Sequence, residues 1–216
     1  MSPVTVENAR PDPPQAPRAA VFAGRPPVLT AEAAGGSVRL RAPRPTDIDA
    51  IMAACVETEA VKWTAVPHPY TRADAEYFVG DYSAGRWERG EAAVFALADA
   101  QDAYVGSMEL RITARDPAVG DVGYLVAAPA RGRGYAPAAL RAMCAWGFEA
   151  LGLARIEWWA YVGNDSSRRV VEKAGFTIEG LCRSAMAHRG ERHDAWFGAL
   201  LPGDLAVGRP GGMGTG

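Results

Sequence analysis

Apolar and polar residues alternate along the middle of the chain with two different periods, which predicts a domain of mixed helices and strands. The clearest helix signal is an apolar face that runs from Leu140 to Leu151 in steps of three or four residues and ends at Gly152. Seven other segments alternate with a period of two, as strands with one buried face do. These predicted strands cover residues 38–41, about 92–99, 103–113, 120–128, 156–162, about 176–186 and 192–201.

Three further helices are predicted from the signals at their ends. Thr46 with Asp49, and Thr71 with Asp74, have the spacing of a capping box, in which two side chains satisfy the first free N–H groups of a helix. A short helix over 165–174 stops at a glycine, which is typical of helix ends. Because helices and strands are interspersed in this way, we predict one mixed α/β domain.

The two ends of the chain lack these patterns. Residues 1–36 hold seven of the sixteen prolines and show no sustained periodicity, and residues 202–216 are rich in glycine. Neither composition can bury enough apolar surface to offset the entropy lost on ordering. We therefore expect a disordered proline-rich arm over 1–36, one folded domain over 37–201 and a flexible tail over 202–216.

Composition narrows the classes of function. Hydrophobic residues make up 49% of the chain and charged residues 22%, as in ordinary globular proteins. The formal net charge of -2 provides no basic field that would attract nucleic acid or an anionic membrane. No apolar run approaches the roughly 18 residues of a membrane span, and prolines and acidic residues interrupt the region where a secretory signal would lie. We therefore expect a cytoplasmic protein without nucleic-acid or membrane partners.

The residue types that bind metals are few and scattered. The three cysteines have no paired C-x-x-C spacing, which argues against a disulfide framework and against a structural zinc site. The three histidines likewise lack ligand spacing with cysteine or acidic residues. We therefore expect reduced thiols and no metal. The residues concerned are Cys55, Cys144, Cys182, His68, His188 and His193.

A glycine-bearing loop between the strand at 120–128 and the clearest helix is the strongest chemical signal. A helix N-terminus offers unpaired N–H groups and a partial positive charge, and Gly132 and Gly134 would let a phosphate approach the backbone closely. Pro137 stands where a dinucleotide motif has its third glycine, and no Gly-Lys-Ser/Thr follows, so NAD and ATP are disfavoured. The loop predicts an anion site, although a tight turn with two solvated arginines would have the same sequence.

The segment 131–136 fits the pattern Arg/Gln-x-x-Gly-x-Gly/Ala, which resembles the acyl-CoA pyrophosphate loop of the GNAT N-acetyltransferase superfamily. Segments 121–126, 164–176 and 192–194 are similar to the RimJ/RimL-type branch, which is named for ribosomal-protein N-terminal acetyltransferases. The resemblance covers about residues 38–201. It implies a mixed, mostly antiparallel and splayed sheet of about seven strands, flanked by about four helices.

The resemblance also implies a site for acetyl-CoA or another acyl-CoA as co-substrate, and no metal. The loop backbone would hold the CoA pyrophosphate, and the edge of the preceding strand would pair with the pantetheine arm. Asn164 would contact that arm, although asparagine is also a good helix cap. The implied cofactor-binding residues are Leu125, Val126, Ala127, Arg131, Gly132, Arg133, Gly134, Tyr135, Ala136, Asn164 and Ser167.

The implied catalytic residues are Ser167, Asp121 and Glu109. Ser167 matches the position that would protonate the departing thiolate, and either carboxylate could act as general base, directly or through water. Asp121 departs from the glutamate usual at its position, which shortens its reach. Each of these residues also has a purely structural interpretation. Ser167 could satisfy the free N–H groups of the first turn of a helix, and Asp121 and Glu109 could be merely solvated. On the acceptor side, Trp63 follows the first helix at the mouth of the site and Asp194 matches a family residue.

These features together predict an acyl-CoA-dependent N-acyltransferase in which a primary amine attacks the thioester directly. Acetyl is the default acyl group, with succinyl or another acyl group as an alternative, and the acceptor is a protein N-terminus or a small molecule. Two other functions stay open: a GNAT-like module that binds CoA or acyl-CoA without turnover, and a nucleotide-binding domain. The sequence does not fix the oligomeric state, and a homodimer is one option.

Overall fold

Helices cover both faces of an open eight-stranded sheet in a computed structural model of the protein, which describes residues 15–206. The strands are β1 (Leu29–Ala33), β2 (Gly36–Arg41), β3 (Ala92–Ala98), β4 (Tyr104–Ile112), β5 (Val119–Val126), β6 (Arg155–Tyr161), β7 (Thr177–His188) and β8 (Glu191–Leu200). Their order across the sheet is β1-β2-β3-β4-β5-β6-β8-β7. Neighbouring strands are antiparallel except for β5 and β6, which are parallel.

The part of the chain that the structure describes contains eight α-helices, which pack on the two faces of the sheet. They are α1 (Gln15–Ala23), α2 (Ile48–Cys55), α3 (Thr58–Trp63), α4 (Arg72–Tyr77), α5 (Ser83–Glu88), α6 (Tyr135–Leu151), α7 (Asp165–Ala174) and α8 (Pro202–Ala206). A π-helical turn over Phe78–Tyr82 joins α4 to α5. Short 3-10 turns precede α2 at Pro45–Asp47 and follow β5 at Ala128–Ala130.

The longest helix, α6, packs on one face of the sheet and forms most of the core. Its buried side chains Leu140 and Met143 belong to one apolar cluster with Phe95 of β3 and Leu110 of β4. Gly147 lets the helix come close, because a Cβ there would lie 2.7 Å from Cδ2 of Leu110. Each large apolar side chain buried in this way contributes about 1.5–3 kcal/mol, so this layer fixes where the start of α6 lies relative to β5.

Helices α2 and α4 cover the opposite face with a second, smaller cluster. Ile48, Ile51 and Ala75 are buried there, and Leu125 of β5 packs against them. Strand β5 therefore has packed helices on both of its faces. This strand leads directly into the glycine-bearing loop, and packing on both faces leaves it little freedom to move.

The fold class implied by the sequence resemblance is confirmed. All seven predicted strands and all four predicted helices are present, and the sheet is mixed and mostly antiparallel. Helices α6 and α7 end where predicted, at Gly152 and Gly175, which have left-handed φ angles of 65° and 102°. Strand β1 and the short helices α1, α3, α5 and α8 are additions to the predicted set.

One of the two predicted capping boxes is confirmed and the other is wrong. The Thr71 N–H donates to Asp74 at 2.7 Å, and the Asp74 N–H donates back to the Thr71 hydroxyl at 3.3 Å. Before α2, however, Asp47 rather than Asp49 accepts a backbone N–H, at 2.8 Å. Asp47 points inward and is buried against the guanidinium of Arg41, which donates to both carboxylate oxygens. Asp49 points outward and accepts from the guanidinium of Arg72 at 2.7 Å instead.

The disordered arm predicted over 1–36 is wrong from residue 15 onward. Helix α1 packs on the domain through Phe22, which is 8% exposed and meets the ring of Trp87 with a centroid distance of 4.7 Å. Strand β1 pairs with β2 along its whole length. The prolines at 26–27 stand between α1 and β1 and so separate two ordered elements. Residues 1–14 of the predicted arm lie outside the described residues.

The flexible tail predicted over 202–216 is wrong for residues 202–206. Helix α8 occupies the first five positions, and its start is stabilised by Asp204, which accepts the N–H of Leu201 at 2.8 Å. Residues 207–216 are outside the described part of the chain. No helix within residues 15–206 is long and apolar enough to cross a membrane.

Replacing the side chain that anchors α1 should destabilise the whole domain. Phe22→Ala removes a buried ring from the contact with Trp87, and we expect the free energy of unfolding to fall by about 3 kcal/mol in urea denaturation. Val28→Ala is the control, because this side chain is 62% exposed and should change stability by less than about 0.5 kcal/mol. Equal, small effects of the two substitutions would show that α1 does not pack on the domain.

Candidate active site

The sheet opens where its parallel strands separate. Strands β5 and β6 pair from Val119 and Arg155 to Val122 and Trp158. Beyond these residues β5 stays paired with β4 and β6 with β8, so β5 and β6 diverge. A cleft of about 1080 Å³ lies in the opening. Its volume is at the upper end of the range for ligand sites, which leaves room for a long ligand.

The edge of β5 that faces the cleft has free backbone groups. At the two ends of the strand, Thr113 N–H donates to Val119 O at 2.9 Å and Ala127 N–H donates to Val105 O at 3.0 Å. Because bonding direction alternates along an antiparallel strand, odd-numbered residues of β5 bond to β4 and even-numbered residues face the other way. Tyr124 and Val126 therefore direct their backbone groups into the cleft.

This alternation changes the strand edge predicted from the sequence. Of the predicted residues Leu125, Val126 and Ala127, only Val126 turns its backbone N–H and C=O toward the cleft, and Tyr124 joins it. The carbonyl of Val126 already accepts a hydrogen bond from Arg131 Nε at 3.1 Å. The side chains of Leu125 and Val126 still line the cleft. Sequence alone shows that a strand is present but not which of its residues bond to which neighbour.

The loop after β5 presents a row of N–H groups at the start of α6. Gly132 and Gly134 have left-handed φ angles of 77° and 80°, which turn successive N–H groups the same way. No acceptor among the described residues meets the N–H groups from Gly132 to Ala136. Gly134 is the N-cap of the 17-residue helix α6, whose dipole adds partial positive charge here. The predicted anion site is thus present as a geometry.

The turn between β1 and β2 is hydrogen-bonded to this loop and packs against it. Gly35 N–H donates to Arg133 O at 2.8 Å, and the hydroxyl of Tyr135 donates to Gly35 O at 2.9 Å. The fit is close, since a Cβ at Gly35 would lie 2.7 Å from Cβ of Arg133. Sequence reasoning missed this support because it assigned the turn to the proline-rich arm.

The two arginines of the loop differ in their surroundings. Arg131 forms a two-pronged ion pair with Glu57, the residue before α3, and its Nη1 lies 2.8 Å from Oε1. Arg133 instead lies over the ring of Tyr135, with its guanidinium carbon 5.1 Å from the ring centroid. Arg131 therefore ties the loop to the helices across the cleft, and it is Arg133 that leaves a positive charge without an acidic partner among the described residues.

Helix α7 forms the other wall of the cleft and is capped by Asn164. The Asn164 side-chain oxygen accepts the N–H of Ser167 at 3.1 Å and the hydroxyl of Ser166 at 3.0 Å, so the helix-cap alternative describes its oxygen correctly. Asn164, Ser166 and Ser167 all line the cleft. Arg169 and Lys173 line it from the next turns of α7, which adds positive charge to this wall.

Ser167 is held by two side chains, and neither contact was predicted from the sequence. Its hydroxyl lies 2.8 Å from the hydroxyl of Tyr124 and accepts the indole N–H of Trp158 at 3.1 Å. Burial raises the pKa of Tyr124 well above its ordinary value, although its hydrogen bond with Ser167 acts in the opposite direction. Tyr124 therefore stays protonated at neutral pH.

The predicted base Asp121 is engaged by an arginine on the neighbouring strand. Arg111 Nε donates to the two carboxylate oxygens of Asp121 at 3.0 and 3.1 Å, and its Nη2 donates as well. Burial alone would lower the pKa of Arg111, but the hydrogen bond and charge of Asp121 outweigh it and raise that pKa. Asp121 is not among the residues that line the cleft.

The second predicted base, Glu109, does line the cleft but is even more fully bonded. Both of its oxygens lie 3.1 Å from the hydroxyl of Tyr82, and it also accepts from Arg86 and from Arg111 at 3.2 Å. Its side chain is only 12% exposed. Neither carboxylate is simply solvated, so that alternative is wrong, and neither has an oxygen free of arginine contacts.

The structure places one of the two predicted acceptor residues at the cleft. Trp63 lines it and donates its indole N–H to Glu59 at 2.8 Å. Asp194 lies elsewhere: it is exposed, and its carboxylate accepts the N–H of Ser184, a residue in a left-handed conformation within an irregular part of β7. Asp194 therefore stabilises a turn of the backbone. Within residues 15–206, no three His, Cys, Asp or Glu side chains come together as a metal site.

Comparison with known proteins identifies the family. The model of the acetyltransferase (GNAT) domain matches residues 37–177, which is more than half of the chain. The chain belongs to the GNAT acetyltransferase family. Among curated relatives, YdaF of Bacillus subtilis (strain 168), which carries the provisional name ribosomal N-acetyltransferase, is 38% identical over 81 residues. That match covers 38% of this chain and 44% of YdaF, so it spans less than half of the relative.

Solved structures show the same GNAT fold. RimJ of Mycobacterium smegmatis, solved in complex with CoA-disulfide, has a TM-score of 0.74 and 23% identity, covering 83% of this chain and 90% of RimJ. RimL, described as a ribosomal L7/L12 alpha-N-protein acetyltransferase and solved with coenzyme A, has a TM-score of 0.67 and 20% identity over 76% of this chain and 93% of RimL. These proteins agree with the RimJ/RimL-type resemblance of the sequence.

The two loop glycines of this GNAT domain should differ in how well they tolerate a methyl group. Gly132→Ala meets open space and pays only for the left-handed backbone, about 1 kcal/mol of unfolding free energy. Gly134→Ala should cost more, because its Cβ would also lie 3.3 Å from the backbone nitrogen of Ala34. Urea denaturation measures both. Gly80→Ala is the control, since this glycine has open space and no left-handed angle, and a loss there equal to that at Gly134 would contradict the loop geometry.

Proposed function

We propose that this protein is an acyl-CoA-dependent N-acyltransferase, with acetyl-CoA as its default donor and a primary amine as its acceptor. One observation carries the proposal: unpaired backbone groups of β5 and the row of free N–H groups at the start of α6 face the same cleft. The first set suits a chain of amides and the second suits a pyrophosphate. CoA contains these two groups in that order.

The donor would lie along β5 with its phosphates at the loop. The N–H groups from Gly132 to Ala136 would hold the pyrophosphate, with the dipole of α6 adding to the attraction. The C=O of Tyr124 and the N–H of Val126 would pair with the pantetheine amides, as an added strand pairs with a sheet edge. Arg169 and Lys173, on the opposite wall, add positive charge for the remaining phosphate groups. The RimJ and RimL structures, which contain CoA, support this choice of donor.

The reaction would need no covalent enzyme intermediate. A neutral amine attacks the thioester carbon, a C–N bond forms, the C–S bond breaks and its electron pair stays on sulfur. Ser167, which lines the cleft between the two strands, supplies the proton that neutralises the sulfur. The nitrogen loses one proton, which restores the Ser167 hydroxyl through solvent, and so the products are an amide and the thiol of CoA.

The arginine contacts of Asp121 and Glu109 indicate which kind of amine can be the acceptor. Asp121 is bound by Arg111, and Glu109 by Arg86 and Arg111, so a proton would have to displace an arginine contact before either could act as a base. An amine that is partly neutral by itself needs less help. A lysine side chain has a pKa about 2.5 units above that of an α-amine, so its deprotonation at neutral pH requires about 3.4 kcal/mol more.

We therefore propose a protein N-terminal amine as the acceptor, with a small molecule bearing an amine of low pKa as the alternative. The name of YdaF and the description of RimL point to protein substrates of the same kind. Aromatic side chains at the cleft, among them Trp63, Trp159 and Tyr161, would contact the residues that follow the amine. We also propose a reducing, cytoplasmic setting, which the three free cysteines support.

The direct test is release of CoA thiol from acetyl-CoA in the presence of a peptide. We expect release to depend on the peptide and to be roughly 300-fold faster at pH 7 with a free α-amine than with a blocked N-terminus and one lysine. With the α-amine peptide, the rate should rise with pH and level off above about pH 8, where that amine is mostly neutral.

Three other results would each change part of the assignment. Tight binding of CoA with slow release that no amine accelerates would favour a module that binds acyl-CoA without turnover. Equal rates with the two peptides would show that one of the carboxylates acts as an effective base in spite of its arginine contacts. Higher rates with succinyl-CoA than with acetyl-CoA would change only the donor.

A further inference from the structure

We propose that Tyr124 and Trp158 are positioning residues for Ser167, and that their two hydrogen bonds leave the single proton of its hydroxyl for the leaving sulfur of CoA. The inference rests on the proposed acyl transfer and deepens it. Neither contact was predicted from the sequence, and the two side chains reach Ser167 from strands that diverge at the cleft.

The contact with Trp158 fixes one role of the serine oxygen. An indole N–H can only donate, so at 3.1 Å the Ser167 oxygen accepts this bond and uses one of its two lone pairs. Trp158 is 1% exposed and is the last residue of β6 that pairs with β5. The indole N–H is therefore anchored at the point where the strands separate, and the serine oxygen is held against it.

The contact with Tyr124 allows two arrangements of protons. The tyrosine hydroxyl lies 2.8 Å from the Ser167 hydroxyl oxygen and 2.9 Å from the Ser167 backbone carbonyl. If tyrosine donates to the hydroxyl oxygen, both lone pairs of the serine are occupied and its proton is free to point into the cleft. If tyrosine donates to the carbonyl, the serine hydroxyl donates back to tyrosine and its proton is unavailable. Only the first arrangement is competent for proton transfer.

The competent arrangement also stabilises the charge that develops during the reaction. As the C–S bond breaks, Ser167 gives its proton to sulfur, and the negative charge that grows on its oxygen is shared by two donors. The proton lost by the attacking nitrogen then returns to the serine oxygen through solvent. Tyr124 and Trp158 keep their own protons throughout. Burial, which raises the pKa of Tyr124, favours this outcome because the tyrosine stays a donor.

The backbone of Ser167 is fixed from the opposite side. Its N–H donates to Asn164 at 3.1 Å in the first turn of α7. The serine is therefore fixed at its backbone by Asn164 and at its hydroxyl oxygen by Trp158 and Tyr124. A serine that only satisfied the helix end would need no contact with either aromatic residue.

The test is a double-mutant cycle in the full-length protein with acetyl-CoA and an α-amine peptide. We expect Ser167→Ala to lower kcat roughly 100-fold and Tyr124→Phe roughly 10-fold, with KM for acetyl-CoA changed less than about twofold. In the Ser167→Ala background, Tyr124→Phe should have no further effect, since its hydroxyl acts through the serine. Tyr104→Phe is the matched control, because its buried hydroxyl packs on the opposite face of the sheet with α2 and α4. It should leave kcat unchanged.

Two outcomes of the kinetics would overturn the proposal. If the effects of Ser167→Ala and Tyr124→Phe on kcat multiply in the double variant, tyrosine acts independently of the serine. If both variants raise KM and leave kcat unchanged, the cluster shapes the cleft and takes no part in proton transfer. A further readout is the NMR signal of the Trp158 indole N–H, which should shift in Ser167→Ala and stay in place in Tyr104→Phe.

A binding measurement separates failure of this proposal from failure of the proposed function. If the wild-type protein releases no thiol with any amine, acyl transfer is wrong, and affinities for CoA and for desulfo-CoA then decide the role of the cluster. A preference for CoA that both Ser167→Ala and Tyr124→Phe reduce severalfold would support a serine proton directed at sulfur. Equal affinity for the two ligands in all three proteins would contradict it.

Discussion

The loss of pairing between β5 and β6 is the constraint on which the rest of the site depends. A parallel pair of strands in the middle of a sheet is normally bonded along its whole length, because buried backbone groups that lack partners are costly. Here pairing stops after Val122 and Trp158, and the next backbone groups of β5 face a cleft. The cost is acceptable because the cleft is open to solvent and, in the function we propose, is filled by a ligand that carries its own amides.

Side-chain contacts join the walls of the opening between the two strands. On the side of β5, Arg131 caps the carbonyl of Val126 and joins the loop to Glu57 across the cleft. On the opposite wall, Trp158 of β6 and Tyr124 of β5 both contact Ser167 and so connect the two strands through α7. The same contacts that hold the opening also position the groups that would act on a ligand inside it. Substitutions of these side chains would therefore affect both the shape of the cleft and the proposed reaction.

The parts of the fold that depend on local sequence could be predicted. The ends of α6 and α7 follow from glycines that adopt left-handed angles, and the loop follows from its spacing of glycines and arginines. The parts that depend on distant partners could not. Residues 15–36 are ordered by contacts such as that of Phe22 with Trp87, and the number of prolines in this segment does not predict those contacts. The contact of Glu109 with Arg86 and that of Ser167 with Tyr124 join residues 23 and 43 positions apart in the sequence. The carboxylate of Asp194 accepts a backbone N–H of the neighbouring strand, and the sequence does not show that pairing.

The proposed CoA site is tested most directly by hydrogen exchange at single backbone amides, monitored by NMR with and without CoA. If the donor lies along the free edge of β5 and across the start of α6, CoA should slow exchange at Val126 and at the amides from Gly132 to Ala136. The amides of Leu125 and Ala127, which already face β4, should change little. Protection that falls equally on all residues of β5, or that spares the loop, would contradict the claim that the separated strands and the helix start form one CoA site.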